Sequence, residues 1–271
     1  MEAPGSIDRH VHPDYSPDAE GTVFEFCEAA RAAGLAGLCF TTHYEPDPLR
    51  AHREKVRVDG RLQPVGSDWA GSYAAAVSEA KARFPELRVM LGVEVGYDFG
   101  LEEEIRGFLS RHPFEFVIGS VHSLEHVAIS SGHEQGEMCE RFRDVPAEQF
   151  VGMYFSRVRA AAGSGLFDAL GHLDIYRRYA VGCFPGLPAA AERELPGALR
   201  AIAAGGVALE VNTSAFRRGD DAPYPAPEVL RAAVAAGVRR FTVGSDAHRP
   251  ADVGAGFDRV RAVLAELNPA G

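Results

Sequence analysis

The chain has 271 residues, of which 46% are hydrophobic and 24% are charged, so it can bury a large core and is not a disordered polypeptide. It carries 38 acidic against 28 basic side chains, a formal net charge of −10, and lacks the basic patch of a protein that binds a nucleic-acid polymer. An acidic protein can still bind an anionic substrate if some of its carboxylates hold cations, because the ions then supply the attraction.

A unit recurs along the chain: an alanine-rich amphipathic helix ends at glycine, and a short apolar strand follows within a few residues. Residues 27–40 (CEAARAAGLAGLCF), 199–211 and 230–243 are examples. Glycine just past a helix is the expected left-handed stop, and the apolar run after it is typical of a strand buried on both faces.

This pattern predicts seven strands and seven helices in alternation. The strands are predicted near 6–10, 37–42, 88–94, 114–121, 167–171, 207–212 and 239–244. The helices are predicted near 21–33, 68–84, 102–110, 146–162, 187–203, 226–236 and 255–266. Such alternation indicates a parallel sheet with right-handed crossovers, which could close into a barrel or stay open as a doubly wound sheet. The polar stretches 44–66 and 123–145 are predicted to be long functional loops.

Nothing in the sequence indicates export or a membrane. Residues 1–5 (MEAPG) lack the basic and apolar regions of a signal peptide, and no apolar run approaches the roughly 20 residues that span a bilayer. We therefore expect a cytoplasmic protein without a membrane partner. Cys27 and Cys39 lie in apolar surroundings and are predicted to be buried, reduced thiols.

Metal-binding side chains fall at or just beyond the predicted carboxyl ends of the strands. The set is His10, His12, His43, Glu94, His122, His172, Asp246 and His248, with Asp18 on the loop after the first strand. A single histidine at a strand end is usually structural, but in a parallel α/β fold all of these ends meet at the ligand-binding edge. The sequence therefore predicts one shared cluster.

The residue types of this cluster favour divalent transition metals. Imidazole and carboxylate are the usual ligands of Zn²⁺, Fe²⁺ and Mn²⁺, and the sequence does not choose among the three. Nine candidate ligands exceed the need of one ion and suit two or three ions that share a carboxylate. Ions roughly 3.5–4 Å apart can stabilise both the attacking and the leaving oxygen of an in-line displacement, and they can lower the pKa of a bound water molecule. The cluster thus indicates hydrolysis.

The chain resembles the polymerase-and-histidinol-phosphatase (PHP) superfamily. The family's motifs appear in its order as DRHVHPDYSPD (8–18), TTHY (41–44), GVEVG (92–96), GSVH (119–122), GHLD (171–174) and GSDAH (244–248). The resemblance implies one domain over 1–271, a distorted (β/α)7 barrel, with a three-metal site. It implies that His10, His12, Glu94 and Asp246 hold the first ion, that Glu94 bridges to a second completed by His122 and His172, and that Asp18, His43 and His248 hold the third.

Two segments, 167–180 and 209–225 (LEVNTSAFRRGDDAPYP), are similar to the histidinol-phosphate phosphatase branch of that superfamily. The likeness implies hydrolysis of L-histidinol phosphate to L-histidinol and inorganic phosphate, with Glu94, Asp246 and His248 in catalytic roles. A phosphate dianion also needs guanidinium donors. The candidates are Arg177 or Arg178 and Arg217 or Arg218, with Arg177 and Arg217 favoured, and His126 is a candidate contact for an imidazole.

Three other functions stay open from the sequence. The same chemistry could act on another small phosphate ester or a nucleotide, or the chain could be a non-catalytic metal-binding module. A metal-dependent amidohydrolase is disfavoured because no predicted strand ends in the lysine that such enzymes carboxylate. The sequence carries no signal for an oligomeric state.

Overall fold

A computed structural model describes residues 6–267. Its strands are β1 (Ile7–Val11), β2 (Gly37–Phe40), β3 (His43–Tyr44), β4 (Lys55–Val58), β5 (Arg61–Pro64), β6 (Arg88–Gly96), β7 (Phe116–Ser120), β8 (Ser123–Leu124), β9 (Val127–Ala128), β10 (Ala169–Leu170), β11 (Ala208–Asn212) and β12 (Phe241–Gly244). Its α-helices are α1 (Val23–Ala32), α2 (Ala70–Arg83), α3 (Glu102–Arg111), α4 (Gln135–Arg141), α5 (Ala147–Gly163), α6 (Arg177–Ala180), α7 (Leu187–Gly205), α8 (Pro227–Ala236) and α9 (Phe257–Leu267). All seven predicted strands and all seven predicted helices are present, with ends shifted by a few residues.

Seven parallel strands form a nearly closed barrel in the order β1-β2-β6-β7-β10-β11-β12, and the short β3 also pairs with β6. The first and last strands meet at a parallel bridge between Val11 and Ala247. His12 N donates to Ala247 O at 2.8 Å, and Asp246 N donates to His10 O at 2.7 Å. The structure therefore confirms the distorted (β/α)7 barrel and excludes an open doubly wound sheet.

The apolar strands are buried between the barrel interior and the outer helices. In β6 all residues except Arg88 are buried, which explains its continuous apolar sequence. Helices α7 and α8 end at Gly206 and Gly237, whose φ angles of 64° and 102° are left-handed. Glycine adopts this conformation without a Cβ clash, so the chain can turn directly into the next strand.

The two stretches predicted as loops contain more structure than expected. Residues 44–66 include the antiparallel hairpin of β4 and β5, which turns at Asp59-Gly60, a common hairpin-turn pair. Residues 123–145 include the β8–β9 hairpin and α4. Both segments are polar, which concealed their short elements from a search for apolar periodicity.

Two further expectations concern cysteines and membranes. Cys27 and Cys39 are buried and free, as predicted, whereas Cys139 and Cys183 form a disulfide for which the sequence pattern had no signal. Across residues 6–267, none of the helices is both long and apolar enough to cross a membrane.

Asp8 connects strand β1 to the loop after strand β12 through hydrogen bonds. Its fully buried carboxylate accepts hydrogen bonds from Ser245 N at 2.9 Å, Ser245 Oγ at 2.5 Å and Gly254 N at 2.9 Å. Asp8→Ala should cost about 3 kcal/mol because buried donors lose their acceptor, which corresponds to a fall in Tm of about 6–12 °C. Thermal unfolding followed by circular dichroism measures this. The exposed Asp144→Ala is the control, and an Asp8→Ala Tm equal to that of the control would contradict this role.

Candidate metal centre

The first ligand group predicted from the sequence comes together at the end of β1. His10 Nε2 and His12 Nε2 lie 3.2 and 3.5 Å from Glu94 Oε2, and 3.7 and 3.4 Å from Asp246 Oδ1. Both histidines are fully buried. Two imidazoles and two carboxylates thus direct ligand atoms at one small volume.

A second group uses the other oxygen of Glu94. Glu94 Oε1 lies 3.2 Å from His122 Nε2 and 2.9 Å from His172 Nε2, and these two nitrogens are 3.4 Å apart. The two oxygens of one carboxylate therefore face two different imidazole groups. This is the arrangement required of a carboxylate that bridges two ions.

A third group lies against the first. Ligand atoms of His12, His43 and His248 all lie within 4.8 Å of one another. His248 Nε2 is 3.3 Å from Asp18 Oδ2, and His43 Nδ1 is 3.0 Å from Glu94 Oε2. The structure therefore brings all nine predicted ligands into one continuous cluster, although they are spread from the first strand to the loop after the last.

The cluster fits divalent cations better than it fits hydrogen bonding alone. His10 Nε2, His12 Nε2 and His43 Nδ1 lie within 3.5 Å of Glu94 Oε2, but these four buried atoms are not aligned for hydrogen bonds. A buried polar atom without a partner is costly, and bound cations would remove that cost. Imidazole nitrogens and carboxylate oxygens are also the donor types that Zn²⁺, Fe²⁺ and Mn²⁺ accept.

Protonation states in the cluster are mixed: its carboxylates are ionised, whereas nearby carboxylates outweigh burial and raise the pKa of His10, His43 and His122, so metal ions would displace protons from these three imidazoles. Burial alone would raise the pKa of Asp246, but the imidazoles of His10, His12 and His248 outweigh it and hold the pKa well below its ordinary value. Burial likewise opposes ionisation of Glu94, yet His10 and His122 hold its pKa well below the usual range. Burial, followed by repulsion from His43 and His248, lowers the pKa of His12. Ionised carboxylates and neutral imidazole are the ligand forms.

The backbone is strained where two of these side chains leave their strands. His172 and Asp246 have φ angles of 20° and 54°, in the left-handed region that residues with a Cβ rarely adopt. Such positions cost about 1–3 kcal/mol each and persist only when surrounding contacts hold them. For Asp246 those contacts include the hydrogen bond from its own N–H to His10 O.

Two carboxylates that the sequence pattern does not identify contact ligand imidazoles. Glu45 Oε1 lies 2.6 Å from His122 Nδ1, and Glu210 Oε1 lies 2.6 Å from His10 Nδ1. Glu210 did have a signal, because it is the one charged residue in the apolar strand Ala208–Asn212. Glu45 lies two residues beyond His43, and that spacing could have identified it.

A cavity of about 860 Å³ opens onto the cluster. Arg178, Arg217 and Arg218 line it, together with Glu94, Asp246 and His248, whereas Arg177 does not. Instead, Arg177 Nη2 donates to Pro223 O at 2.7 Å, its Nε lies 3.1 Å from Asp174, and its guanidinium lies over the Tyr224 ring. The preference for Arg177 over Arg178 is therefore not supported by their positions.

The other substrate candidates occupy different surroundings. Arg217 donates to Ser245 O at 2.7 Å and to Asp246 O at 2.8 Å, so it supports the loop that carries Asp246. His126 is about half exposed, lies 2.7 Å from Asp47 Oδ2, and is not among the residues that line the cavity. Its predicted contact with an imidazole stays a prediction.

Comparison with known proteins gives the same family as the motifs. The profile of the PHP domain matches residues 8–214. A Deinococcus radiodurans protein named "Probable histidinol-phosphatase" is 34% identical over 259 residues, covering 93% of this chain and 90% of that protein. A Lactococcus lactis histidinol-phosphatase is 26% identical, covering 78% of this chain and 72% of its own. The chain belongs to the PHP domain family.

A solved structure extends the likeness to the fold. The crystal structure of histidinol phosphate phosphatase from Lactococcus lactis, complexed with zinc, L-histidinol and phosphate, superposes with a TM-score of 0.76 at 24% identity. The superposition covers 96% of this chain and 93% of that one. The whole barrel is therefore shared.

Proposed function

We propose that this protein is a metal-dependent phosphomonoesterase that hydrolyses L-histidinol phosphate to L-histidinol and inorganic phosphate. The observation that carries the proposal is the cluster of six imidazoles and three carboxylates, all buried or half-buried except the exposed Asp18, at the floor of a cavity that also holds arginines. The names of the relatives in Deinococcus radiodurans and Lactococcus lactis support the choice of substrate. The single-domain organisation and the cytoplasmic location stay predictions.

In this proposal the three ligand groups would hold two or three divalent ions, Zn²⁺, Fe²⁺ or Mn²⁺. His10, His12, Glu94 and Asp246 would hold the first ion, Glu94, His122 and His172 the second, and Asp18, His43 and His248 the third. Such ions would supply Lewis-acid polarisation of the phosphate and a water molecule of lowered pKa as the nucleophile. Glu94 keeps the ion positions close together through its two oxygens, and Arg217 holds the Asp246 backbone by its carbonyl.

Arg178 and Arg218 are the guanidinium groups best placed to bind the phosphate. Both line the cavity, and within residues 6–267 neither has a carboxylate at ion-pair distance. Burial, and then the charge of Arg218, lowers the pKa of Arg178, as expected for two cations that lack a counter-ion. A phosphate dianion would neutralise both.

The same cavity also contains acidic side chains that suit the rest of the substrate. Glu45 and Glu54 line it, and repulsion between them adds to burial in raising the pKa of Glu54. Histidinol phosphate carries an ammonium group and an imidazole as well as its phosphate. Glu54 also pairs with Arg50 at 2.8 Å, and Glu45 contacts His122 at 2.6 Å. A cavity that holds carboxylates as well as guanidinium groups without ion-pair partners favours such a substrate over a purely anionic ester.

Replacement of either cavity arginine should weaken phosphate binding. We expect Arg178→Ala or Arg218→Ala to lower kcat/KM about 10–100-fold, because each removes charge-assisted hydrogen bonds worth about 1.5–3 kcal/mol. Phosphate release from histidinol phosphate measures the effect, with the exposed Arg143→Ala as control. If both variants match the control, these two residues do not bind the phosphate.

A substrate panel tests the proposed function itself. Purified, metal-loaded enzyme is assayed for phosphate release from L-histidinol phosphate, mononucleotides and sugar phosphates. We expect kcat/KM to be highest for histidinol phosphate. A higher value for a nucleotide or a sugar phosphate would reassign the substrate within the same chemistry. Full metal occupancy without turnover on any ester would instead indicate a non-catalytic metal-binding module.

A further inference from the structure

Glu210 is a buried acid that is not among the predicted ligands but contacts two of them. Its side chain, about 1% exposed, comes from the middle of β11, and both of its oxygens are engaged. Oε1 lies 2.6 Å from His10 Nδ1. Oε2 accepts from His172 N at 2.8 Å and from Asn212 Nδ2 at 3.2 Å. Three nitrogen groups thus surround one carboxylate.

These contacts determine which nitrogen of His10 faces the cluster as an acceptor. A glutamate oxygen at 2.6 Å from His10 Nδ1 accepts a hydrogen bond from it, so the neutral ring that binds a metal ion carries its proton on Nδ1 and leaves Nε2 free. The lone pair of Nε2 then points toward Glu94 Oε2 and Asp246 Oδ1, which lie 3.2 and 3.7 Å away. A metal-binding histidine is commonly oriented in this way by a carboxylate on its other nitrogen.

The other oxygen of Glu210 acts on the second ligand group. It accepts the backbone N–H of His172, the residue whose φ angle of 20° is strained. That hydrogen bond helps to hold the conformation from which His172 Nε2 reaches Glu94 Oε1 at 2.9 Å. One carboxylate therefore supports a ligand from each of the two groups that share Glu94.

Two motif glycines leave room for this carboxylate. A Cβ at Gly244 would collide with Glu210 Oε1 and with the Cβ of His10. A Cβ at Gly171 would collide with Ser120 Oγ and would lie 3.5 Å from Glu210 Oε2. The glycines that begin GHLD and GSDAH are thus explained by space around Glu210 and its neighbours.

We propose that Glu210 is a positioning residue that sets the tautomer of His10 and the backbone of His172, and so controls the affinity of two adjacent ion positions. The inference rests on the metal centre of the proposed function. It assigns Glu210 no contact with an ion or with substrate.

Glu210→Gln tests this role with little change in shape. If the amide oxygen faces His10, the NH₂ group meets the two N–H donors of His172 and Asn212, and if the amide is reversed it meets His10 Nδ1–H. Two hydrogen bonds are lost in the first orientation and one in the second. We expect Zn²⁺ affinity to fall about 10–100-fold, the usual effect of removing such a support. Competition between the metal-free protein and a chromophoric chelator measures it.

Asp98→Asn is the matched control, because it weakens a different buried ion pair, that of Asp98 Oδ1 with Arg157 Nε at 2.6 Å. Both variants should unfold at lower temperature, but only Glu210→Gln should bind Zn²⁺ more weakly. Glu210→Asp, whose shorter side chain retracts from His10, should show the same loss and decides the matter if the glutamine variant does not fold. Wild-type Zn²⁺ affinity in a folded Glu210 variant would overturn the proposal.

A second readout follows the tautomer directly. In the Zn²⁺-bound protein, ¹⁵N chemical shifts of the imidazoles should identify His10 as the form that keeps its proton on Nδ1, and this signal should change in Glu210→Gln. A His10 ring protonated on Nε2 in the wild type would overturn the proposal. These measurements use no substrate, so weaker Zn²⁺ binding by Glu210→Gln supports the role of Glu210 even if the panel rejects histidinol phosphate.

Discussion

Replacement of Glu94 by glutamine should lower kcat by at least about 1,000-fold, well beyond the 10–100-fold expected when only a supporting residue is lost. Glu94 directs Oε2 at the His10 and His12 side of the cluster and Oε1 at His122 and His172. An amide offers one oxygen and one NH₂ group, so one of the two ion positions loses a ligand and gains a donor. Turnover with histidinol phosphate measures the effect.

Metal content is the companion measurement for this variant. Elemental analysis of Glu94→Gln should find at least one ion fewer per chain than in the wild type. Glu86→Gln, a change at an exposed carboxylate that pairs with Arg31, is the control and should keep both activity and metal content. A Glu94→Gln enzyme with near-normal turnover and a full metal complement would contradict the bridging role.

Removal of the metal ions should abolish turnover and destabilise the fold together. An ion present at 100 times its Kd stabilises the native state by about 2.7 kcal/mol, so one such ion should raise Tm by roughly 5–10 °C in a domain of this size. Without ions, the buried and unpartnered atoms of His10, His12, His43 and Glu94 stay unsatisfied. Dialysis against a chelator, followed by activity and thermal-unfolding measurements, tests both effects.

Re-addition of Zn²⁺, Mn²⁺ and Fe²⁺ to separate samples then identifies the ions that restore activity. The recovered Tm should follow the recovered turnover, because the same ligand groups produce both effects. If the metal-depleted protein keeps full turnover, the ions are not part of the reaction.

Much of the barrel could be predicted because its signals are local. Apolar runs such as RVMLGVEVG (88–96) indicate strands buried on both faces, and the glycines at 206 and 237 mark helix ends at which only a residue without a Cβ turns easily. Apolar periodicity does not reveal the hairpin at 55–64 because its strands are polar and lie outside the barrel, although Asp59-Gly60 is a recognisable turn. Local rules work where the local sequence determines the backbone.

The arginines show where such rules stop. Arg177 and Arg178 are adjacent on a helical turn and therefore point about 100° apart, so only one of them can face a given cavity. The sequence favoured Arg177, which instead contacts Asp174, Pro223 and the Tyr224 ring, and Arg178 lines the cavity. Rotation of a short helix about its axis depends on packing against other segments.

From the sequence alone, the positions of metal-binding residue types at the ends of parallel strands determined that one cluster would form, because those ends meet at one edge of any parallel sheet. Only the tertiary structure decided which oxygen of Glu94 faces which imidazole, and that Glu210 reaches His10 across 200 positions of the chain. The physical reason is the separation along the chain of the residues that determine each feature. A strand end is specified by its neighbouring residues, whereas a contact near 3 Å between distant residues depends on how every strand and helix between them packs.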